Sequence, residues 1–594
     1  MAGRTLVLED VIQKNNLATQ IANQYVEWNN ARSEKRQEWK DLRNYIFQTS
    51  TADTANSSLP WKNSTTTPKI CQIRDNLHAN YMAALFPNEN WMNWEGGDAK
   101  GEEEEKRKVI QEYMRNKTEA SDFRATVSQL VYDWIDYGNA IGTTEYVQDI
   151  HKPEGEQDDI IQYIGPRLVR TSPYDVVFNP LTASFIDSPK IIRSVKNLGD
   201  IKKDIDDKPE LGYQADIFNT MLDDRKSMLN MDSSDADKND GLVIDGFGSI
   251  SAYYESGMVE ILEFYGDLWD SHEQVLLRNH VITVVDRAHV IRKQPIPGWN
   301  TRKFRHVGWR LRPDNLYAMG PLDNLVGMQY RIDHLENLKA DVFDLIAHPV
   351  MKIKGYVEDF EYGPGERIIL GDDGDVGFQQ PDTTALNADT QIAILEQKME
   401  EYSGAPKQAM GIRTPGEKTK FEVQTLENAS GRIFQNKISY FEQMFLEPLL
   451  NDMLEVARRN LQGTDTIRVL DDEIDVALFE TITKEDITAN GRLKPIGARH
   501  FATQANMLQN FIGLAGSAVG QDPAVSTHIS GKRTAEMIES LLGVQKFDLV
   551  EENIRVIEQI ETQRMVQAAQ EQLAMEQQTP AGVTADEQPL PEEE

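Results

Sequence analysis

Two short segments contain residue types that could bind a nucleotide or a metal ion, and both depart from the pattern that the chemistry needs. Gly531-Lys532 would end a phosphate-binding loop, but Arg533 stands where such a loop needs Ser or Thr to hold magnesium. Residues 232–241 are Asp-rich like a calcium loop, yet Gly246 occupies the position of the bidentate Glu. Neither segment predicts a ligand site.

The other candidates for chemistry are paired acids and one cysteine. Asp372-Asp373 and Glu400-Glu401 could hold magnesium in a nuclease, although solvated charge is the simpler interpretation of both pairs. Cys71 is the sole cysteine, so the sequence predicts neither a disulfide framework nor a cysteine-based zinc site. We therefore expect no enzymatic activity and no cofactor.

The second acid pair, Glu400-Glu401, lies in a region where the sequence predicts a series of helices and strands. Apolar residues recur every three or four positions from Gly320 to Ala347, which predicts an amphipathic helix. His348-Pro349 ends this helix, because proline cannot donate to the helical ladder and restricts the residue before it. Val350–Lys354 and residues 367–370 are predicted to be strands, and a second helical stripe ends at Ser403.

The series continues with a loop and a very long helix. Residues 404–417 contain two prolines and several glycines, which excludes a continuous helix, and Lys407 and Arg413 make the loop basic. Residues 418–461 then have the apolar spacing of a helix. Pro448 is expected to kink it, since its ring removes a backbone donor.

This order of elements resembles the portal (head-to-tail connector) proteins of tailed bacteriophages, most closely those of the short-tailed group. Three motifs carry the resemblance: residues 316–321 (LYAMGP), 331–338 (RIDHLENL) and 165–175 (GPRLVRTSPYD). The similar layout covers about residues 18–570. It implies an α+β, mainly helical chain with wing, stem, clip and helical crown regions that assembles into a ring.

The resemblance implies these boundaries: an N-terminal wing of helices and strands (1–314), a first stem helix (315–347), a clip (348–386), a second stem helix (387–403), a tunnel loop (404–417), a kinked wing helix with a hairpin (418–493), a crown (494–578) and a disordered acidic tail (579–594). It further implies a dodecamer at one capsid vertex of the virion, through which DNA is packaged and later ejected. The implied partners are the major capsid protein, the terminase large subunit, tail adaptor proteins and double-stranded viral DNA. Assembly would take place in the host cytoplasm.

The same resemblance suggests roles for individual residues. Lys407 and Arg413 of the tunnel loop are predicted to contact DNA phosphates. Acids on the stem helices are predicted to line the channel: Asp333, Glu336, Asp341, Asp344, Glu396 and Glu400. Apolar residues of the first stem helix are predicted to form the ring interface: Leu325, Ile332, Leu335, Leu338 and Val342.

Charge and hydropathy restrict the possible partners. A net charge of −34 argues against a protein that wraps and neutralises DNA, whereas a passage lined with carboxylates would let a duplex slide. The longest apolar stretch, near residues 511–520, is well below the ~20 residues of a membrane-spanning helix. The alternatives are another virion structural protein, such as a scaffold or tail-tube adaptor, and a metal-dependent nuclease. A scaffold should be mostly helical.

Overall fold

The structure is a computed structural model, and it describes only part of the chain. The described residues are 5–8, 17–47, 63–64, 66–87, 91–96, 102–151, 160–179, 181–182, 184–229, 257–270, 274–296, 304–355, 368–379, 383–403, 434–461, 463–471 and 476–496. The predicted tunnel loop, the acidic tail and all but the first residues of the crown lie outside them. So do the candidate ligand loops at 232–241 and 531–533.

The described residues mix helix and strand, which confirms the coarse fold class predicted from the sequence. The α-helices are α1 (Leu17–Ala31), α2 (Ser33–Phe47), α3 (Lys69–Leu85), α4 (Glu102–Ala120), α5 (Phe123–Asp136), α6 (Leu198–Asp207), α7 (Ala215–Leu229), α8 (Val326–Ala347), α9 (Asp389–Ser403) and α10 (Glu447–Asn460). The first nine strands are β1 (Thr5–Leu8), β2 (Met92–Gly96), β3 (Asn139–His151), β4 (Ile160–Thr171), β5 (Val176–Phe178), β6 (Lys190–Asn197), β7 (Met258–Asp270), β8 (Val275–Val285) and β9 (His289–Pro295). The remaining strands are β10 (Phe304–Gly308), β11 (Arg310–Arg312), β12 (Asn315–Met319), β13 (Val350–Lys354), β14 (Asp375–Gln379), β15 (Thr464–Asp471), β16 (Val476–Thr483) and β17 (Gly491–Pro495).

The chain divides into two compact units. One comprises residues 1–467 and 480–499, and the other comprises residues 468–479 and 500–594. Within the second unit the structure describes only the end of the hairpin formed by β15 and β16. Every other feature discussed below belongs to the first unit.

The largest sheet has the strand order β5-β6-β7-β8-β9, and β1 pairs in parallel with the end of β7. Its two faces bury different helices, because successive side chains of a strand point to opposite sides. Leu262 and Phe264 of β7 pack with α1, which contributes Ile21 among others. Ile261 of the same strand packs on the other side with α6 and α7, where Phe218 is buried.

A smaller sheet, with the order β10-β3-β4, is packed against α5 and the helix that ends as α10. Trp134 of α5 and Phe441 have ring centres 4.8 Å apart. Gly142 of β3 leaves room for the next aromatic side chain of that helix, since a Cβ there would lie 3.3 Å from the ring of Phe445. This close approach joins the long helix to the sheet.

Two of the three motifs, residues 316–321 before α8 and residues 165–175 at the end of β4, make close contacts within the chain. Gly320 passes close to Gly138, where a Cβ on Gly138 would come within 2.5 Å of the Gly320 nitrogen, and Gly138 has φ +69°. Residues 172–176 are held by the buried Arg32, which donates hydrogen bonds to the carbonyls of Pro173 (2.7 Å), Tyr174 and Val176 (2.8 Å). These contacts fix the chain path beside the two sheets.

The long helix departs from regular α-helical geometry just before Pro448. Residues 434–441 are α-helical, Glu442–Leu446 form a π-helical turn, and α10 follows with Pro448 near its start. The ring of Pro448 would press on the carbonyl four residues earlier, and a wider turn relieves that contact. The predicted kink at Pro448 therefore has a counterpart in the described part of this helix.

Two long apolar patterns in the sequence each cover two helices of the structure. The apolar pattern from Ala18 to Gln48 spans both α1 and α2, which are separated by a turn at Arg32. The pattern from Glu102 to Tyr137 breaks where Asp122 adopts a φ of +52°. In both cases the apolar periodicity continues through the break, so the pattern alone does not locate it.

Glu260 on β7 is expected to contribute to stability in a pH-dependent way. It accepts hydrogen bonds from Arg193 (2.7 Å) and Arg287 (2.7 and 2.9 Å). Burial alone would raise its pKa, but the two guanidinium groups outweigh burial and hold the pKa below the ordinary 4.5. We expect Glu260→Gln to lower the free energy of unfolding by about 2 kcal/mol at neutral pH.

The direction in which stability changes with pH follows from the lowered pKa of Glu260. The carboxylate contribution is complete above pH 4.5 and is lost as the pH falls through the lower folded-state pKa. Urea unfolding should therefore separate wild type from Glu260→Gln at pH 7 and bring them together in acid. Asp223→Asn, at an exposed ion pair with Lys226, is the control and should be neutral at both pH values. A difference independent of pH would contradict the assignment.

Candidate functional site

Helix α8, the hairpin of β13 and β14, and helix α9 form the candidate site. Helix α8 has 22 residues and is roughly 33 Å long. A short 3-10 turn, Asp323–Leu325, leads into it. The Asp323 carboxylate accepts hydrogen bonds from the Gly320 N–H (3.1 Å) and the Lys35 ammonium (2.7 Å), which anchors the start of the helix to α2.

One face of α8 buries a polar stripe. Gln329, Asp333, Asn337 and Asp341 follow one another at intervals of four residues, so they share a face of the helix. None of the four is more than 2% exposed. Buried polar groups are costly unless they are hydrogen-bonded, so this stripe requires partners from elsewhere in the chain.

The partners come from the segment that precedes α3. We call residues 63, 64 and 66–69 the strap. Asp333 accepts hydrogen bonds from the Thr66 hydroxyl (3.1 Å), the Thr67 N–H (3.0 Å) and the Gln329 amide (2.8 Å). The Gln329 amide also donates to the Thr67 carbonyl at 2.6 Å. The strap thus provides hydrogen-bond partners for Gln329 and Asp333, the first two residues of the stripe.

Three further contacts fix the ends of the strap. The Asn63 side-chain amide donates to Asp341 and to Asp344, each at 2.8 Å. The Lys69 ammonium forms an ion pair of 2.8 Å with Glu400 of α9. The strap therefore connects both helices of the site. The Ser-, Thr- and Asn-rich composition around it predicts an exposed loop or arm, but its described residues lie against their own chain.

Burial also affects the ionisation of the stripe. It raises the pKa of Asp333 above the ordinary carboxyl value, while the hydrogen bonds from Thr67, Gln329 and Thr66 oppose that rise. The second carboxylate oxygen of Asp341 is buried and has no hydrogen-bond partner among the described residues. The polar groups of the stripe are therefore hydrogen-bonded at Asp333, whereas one carboxylate oxygen of Asp341 has no partner among the described residues.

The predicted channel acids separate into two groups. Asp333, Asp341 and Glu400 are at most 4% exposed and are bound to the strap, so in this chain they stabilise its fold rather than face solvent. The other three are half-exposed: Glu336, Asp344 and Glu396. Only this second group remains available to line a passage.

The predicted ring interface also divides. Leu325 and Ile332 are fully buried within the chain, whereas Leu335, Leu338 and Val342 are half-buried. The apolar side chains of α8 that are most open to solvent are others: Tyr330, Phe343 and Ile346. The helix therefore has a buried polar stripe and, away from it, several exposed apolar residues.

The hairpin confirms one predicted strand and corrects the other. Val350–Lys354 is a strand, but its partner is Asp375–Gln379 rather than residues 367–370. Met351 lies opposite Phe378, and Ile353 lies opposite Val376, so these four apolar side chains share one face. Ile353 and Phe378 are more than half exposed. A lone two-stranded hairpin is marginal in water.

Exposed apolar side chains are concentrated in this part of the molecule. Among the described residues, ten of the 19 large exposed hydrophobic side chains lie between Tyr330 and Tyr402. They are Tyr330, Phe343, Ile346, Val350, Ile353, Ile369, Leu370, Phe378, Ile394 and Tyr402. Most of these exposures could not be predicted from the sequence, because they depend on how each segment packs in the folded chain.

The candidate magnesium ligands are not assembled into a metal centre. Asp372 and Asp373 are exposed in the turn before β14, and Glu400 is occupied by Lys69. Within the described ranges, no three His, Cys, Asp or Glu side chains are grouped as metal ligands. None of the helices in those ranges is both long enough and apolar enough to span a bilayer.

No protein-family model matches the chain, and the search of curated proteins gave no match.

Proposed function

We propose that this chain is a portal protein of a tailed bacteriophage, forming a dodecameric ring at one capsid vertex through which the genome is packaged and ejected. The single observation that carries the proposal is the exposed apolar surface along α8, the hairpin and α9. Large apolar patches on a single chain mark surfaces that bind another protein. Copies arranged around an axis would bury these side chains against neighbours.

The order of elements supports the same function. A long helix, a strand hairpin, a shorter helix and a long bent helix follow one another, which is the layout of a stem, clip, second stem and wing. A scaffolding protein, the nearest alternative, is expected to be mostly helical. The two larger sheets of the described chain favour the portal over the scaffold.

Charge supports passage of DNA rather than tight binding to it. Glu336, Asp344 and Glu396 are the acids proposed to face the channel, where they would repel phosphates and keep the duplex mobile. Lys407 and Arg413 are proposed to touch DNA from the loop at 404–417. The hairpin is proposed to dock the terminase large subunit and later the tail adaptor proteins, while the wing contacts the major capsid protein in the virion.

Electron microscopy of the purified full chain tests this proposal. We expect rings with a central hole, and light scattering should give the mass of about twelve copies, the number that the resemblance implies, of the 67.5 kDa chain. Assembly is expected because single chains would leave the apolar face of the hairpin in water. Single chains at all concentrations, with or without scaffold, would contradict the proposal.

A further inference from the structure

Trp309 is the centre of a small cationic cluster formed by Arg310 and Lys437. The indole ring is buried, and its N–H donates to the Tyr81 hydroxyl at 3.1 Å. The Lys437 ammonium lies 4.4 Å from the ring centre and donates to the Trp309 carbonyl. The Arg310 guanidinium carbon lies 5.2 Å from the same ring centre. Two positive charges therefore share one aromatic ring.

No carboxylate is paired with either charge in the part of the chain that the structure describes. Neighbouring bases differ in this respect. Arg312 pairs with Asp314 at 3.2 Å, and Arg305 pairs with Asp452 at 2.6 Å. Uncompensated bases are notable in a chain with 96 acids and 62 bases.

The electrostatics of the cluster favour an anion. Burial lowers the pKa of Lys437, and the charge of Arg310 lowers it further. An anion bound near both cations would offset their mutual repulsion and the loss of hydration at Lys437. Arg310 is exposed and Lys437 is half-buried, so a ligand could approach both from solvent.

We propose that Arg310 and Lys437, held at Trp309, bind a phosphate group, and that the source of this phosphate is the backbone of duplex DNA. The buried indole has no open face on which a base could stack, so the ligand is the phosphate rather than the base. The DNA source rests on the proposed portal function. The site lies outside the loop at 404–417 and adds a contact that the sequence did not indicate.

Chemical footprinting of the full chain tests the site. Lysine acetylation is followed by mass spectrometry with no addition, with a short DNA duplex, and with inorganic phosphate. We expect the duplex to slow acetylation of Lys437 several-fold, and added salt to remove the protection because phosphate contacts are screened. Lys226, which is paired with Asp223 on the surface, should react equally in all samples.

Two matched variants make the test specific to the cluster. Arg310→Gln should weaken protection of Lys437, because half of the phosphate site is lost. Arg312→Gln removes an exposed base from the same strand and should leave protection unchanged. Protection by inorganic phosphate but not by duplex would retain the phosphate site and overturn DNA as its source. Absence of protection in both samples would overturn the proposal.

Electron microscopy of the same samples separates this inference from the proposed function. Rings in which Lys437 remains unprotected would overturn the phosphate site and support the portal. Protection of Lys437 in a protein that never forms rings would support the phosphate site and overturn the portal.

Discussion

Phe343→Asp combined with Ile346→Asp is expected to convert rings into single chains. Both side chains lie at the end of α8 and are 53% and 44% exposed in the single chain, so the substitutions should not disturb its core. In a ring they would place unpaired charges between copies, at a cost of several kcal/mol for each interface. Light scattering and electron microscopy should both register the loss of assembly.

The matched control keeps the apolar character of the surface. Phe343→Leu with Ile346→Leu should still form rings, because comparable apolar area remains to be buried. Circular dichroism should be the same for both double variants, since neither removes a contact of the core. Rings that survive the two aspartates would exclude this end of α8 from the interface.

Helix α8 was predictable because its start and end have local causes. The apolar repeat from residue 320 to 347 predicts the helix, and the structure places α8 at Val326–Ala347 after a 3-10 turn. Pro349 accounts for the end, since the residue before a proline resists the helical conformation. Sequence periodicity reports such features well because they depend on neighbours three or four positions away.

The buried polar stripe of α8 was not predictable in this way. The resemblance to portal proteins predicts that Asp333 and Asp341 line a channel, and acids on an amphipathic helix normally face water. Their partners, Thr67 and Asn63, are more than 260 residues away in the chain. No spacing within α8 indicates that a distant polar segment will cover this face.

The strand that pairs with β13 was not predictable from the sequence either. Residues 367–370 contain Ile and Leu and have the composition of a strand, whereas Asp375–Gln379 contains Gly377, which weakens a strand. Pairing with β13 nevertheless selects the second segment, in register from Val350 opposite Gln379. Register in a hairpin is set by contacts across strands, which composition does not specify.

The Trp309 cluster was missed for a related reason. Arg310 and Lys437 are separated by more than 120 residues and come together only when the long helix packs against β10. By contrast, the two bases of the loop at 404–417 are close in sequence, so the sequence alone groups them. Nothing in the sequence distinguishes a base with a distant acidic partner, such as Arg305, from one without.

Asp333→Ala is expected to release the strap from α8. The substitution removes the acceptor of three hydrogen bonds and leaves the part-buried Thr67 N–H without that partner. The cost should be about 3–5 kcal/mol, since hydrogen bonds to a charged group are stronger than average and an unsatisfied donor adds a desolvation penalty. Thermal unfolding of the full chain should occur at lower temperature.

Tryptic cleavage after Lys69 distinguishes release of the strap from general destabilisation. In the folded chain Lys69 is bound to Glu400, and α3 begins at this residue, so cleavage there should be slow. Asp333→Ala should accelerate it below the unfolding temperature. Asp344→Ala, which loses one hydrogen bond from Asn63 at a half-exposed position, is the control and should change it little. Equal cleavage in wild type and Asp333→Ala would mean that the strap is held by contacts other than the polar stripe.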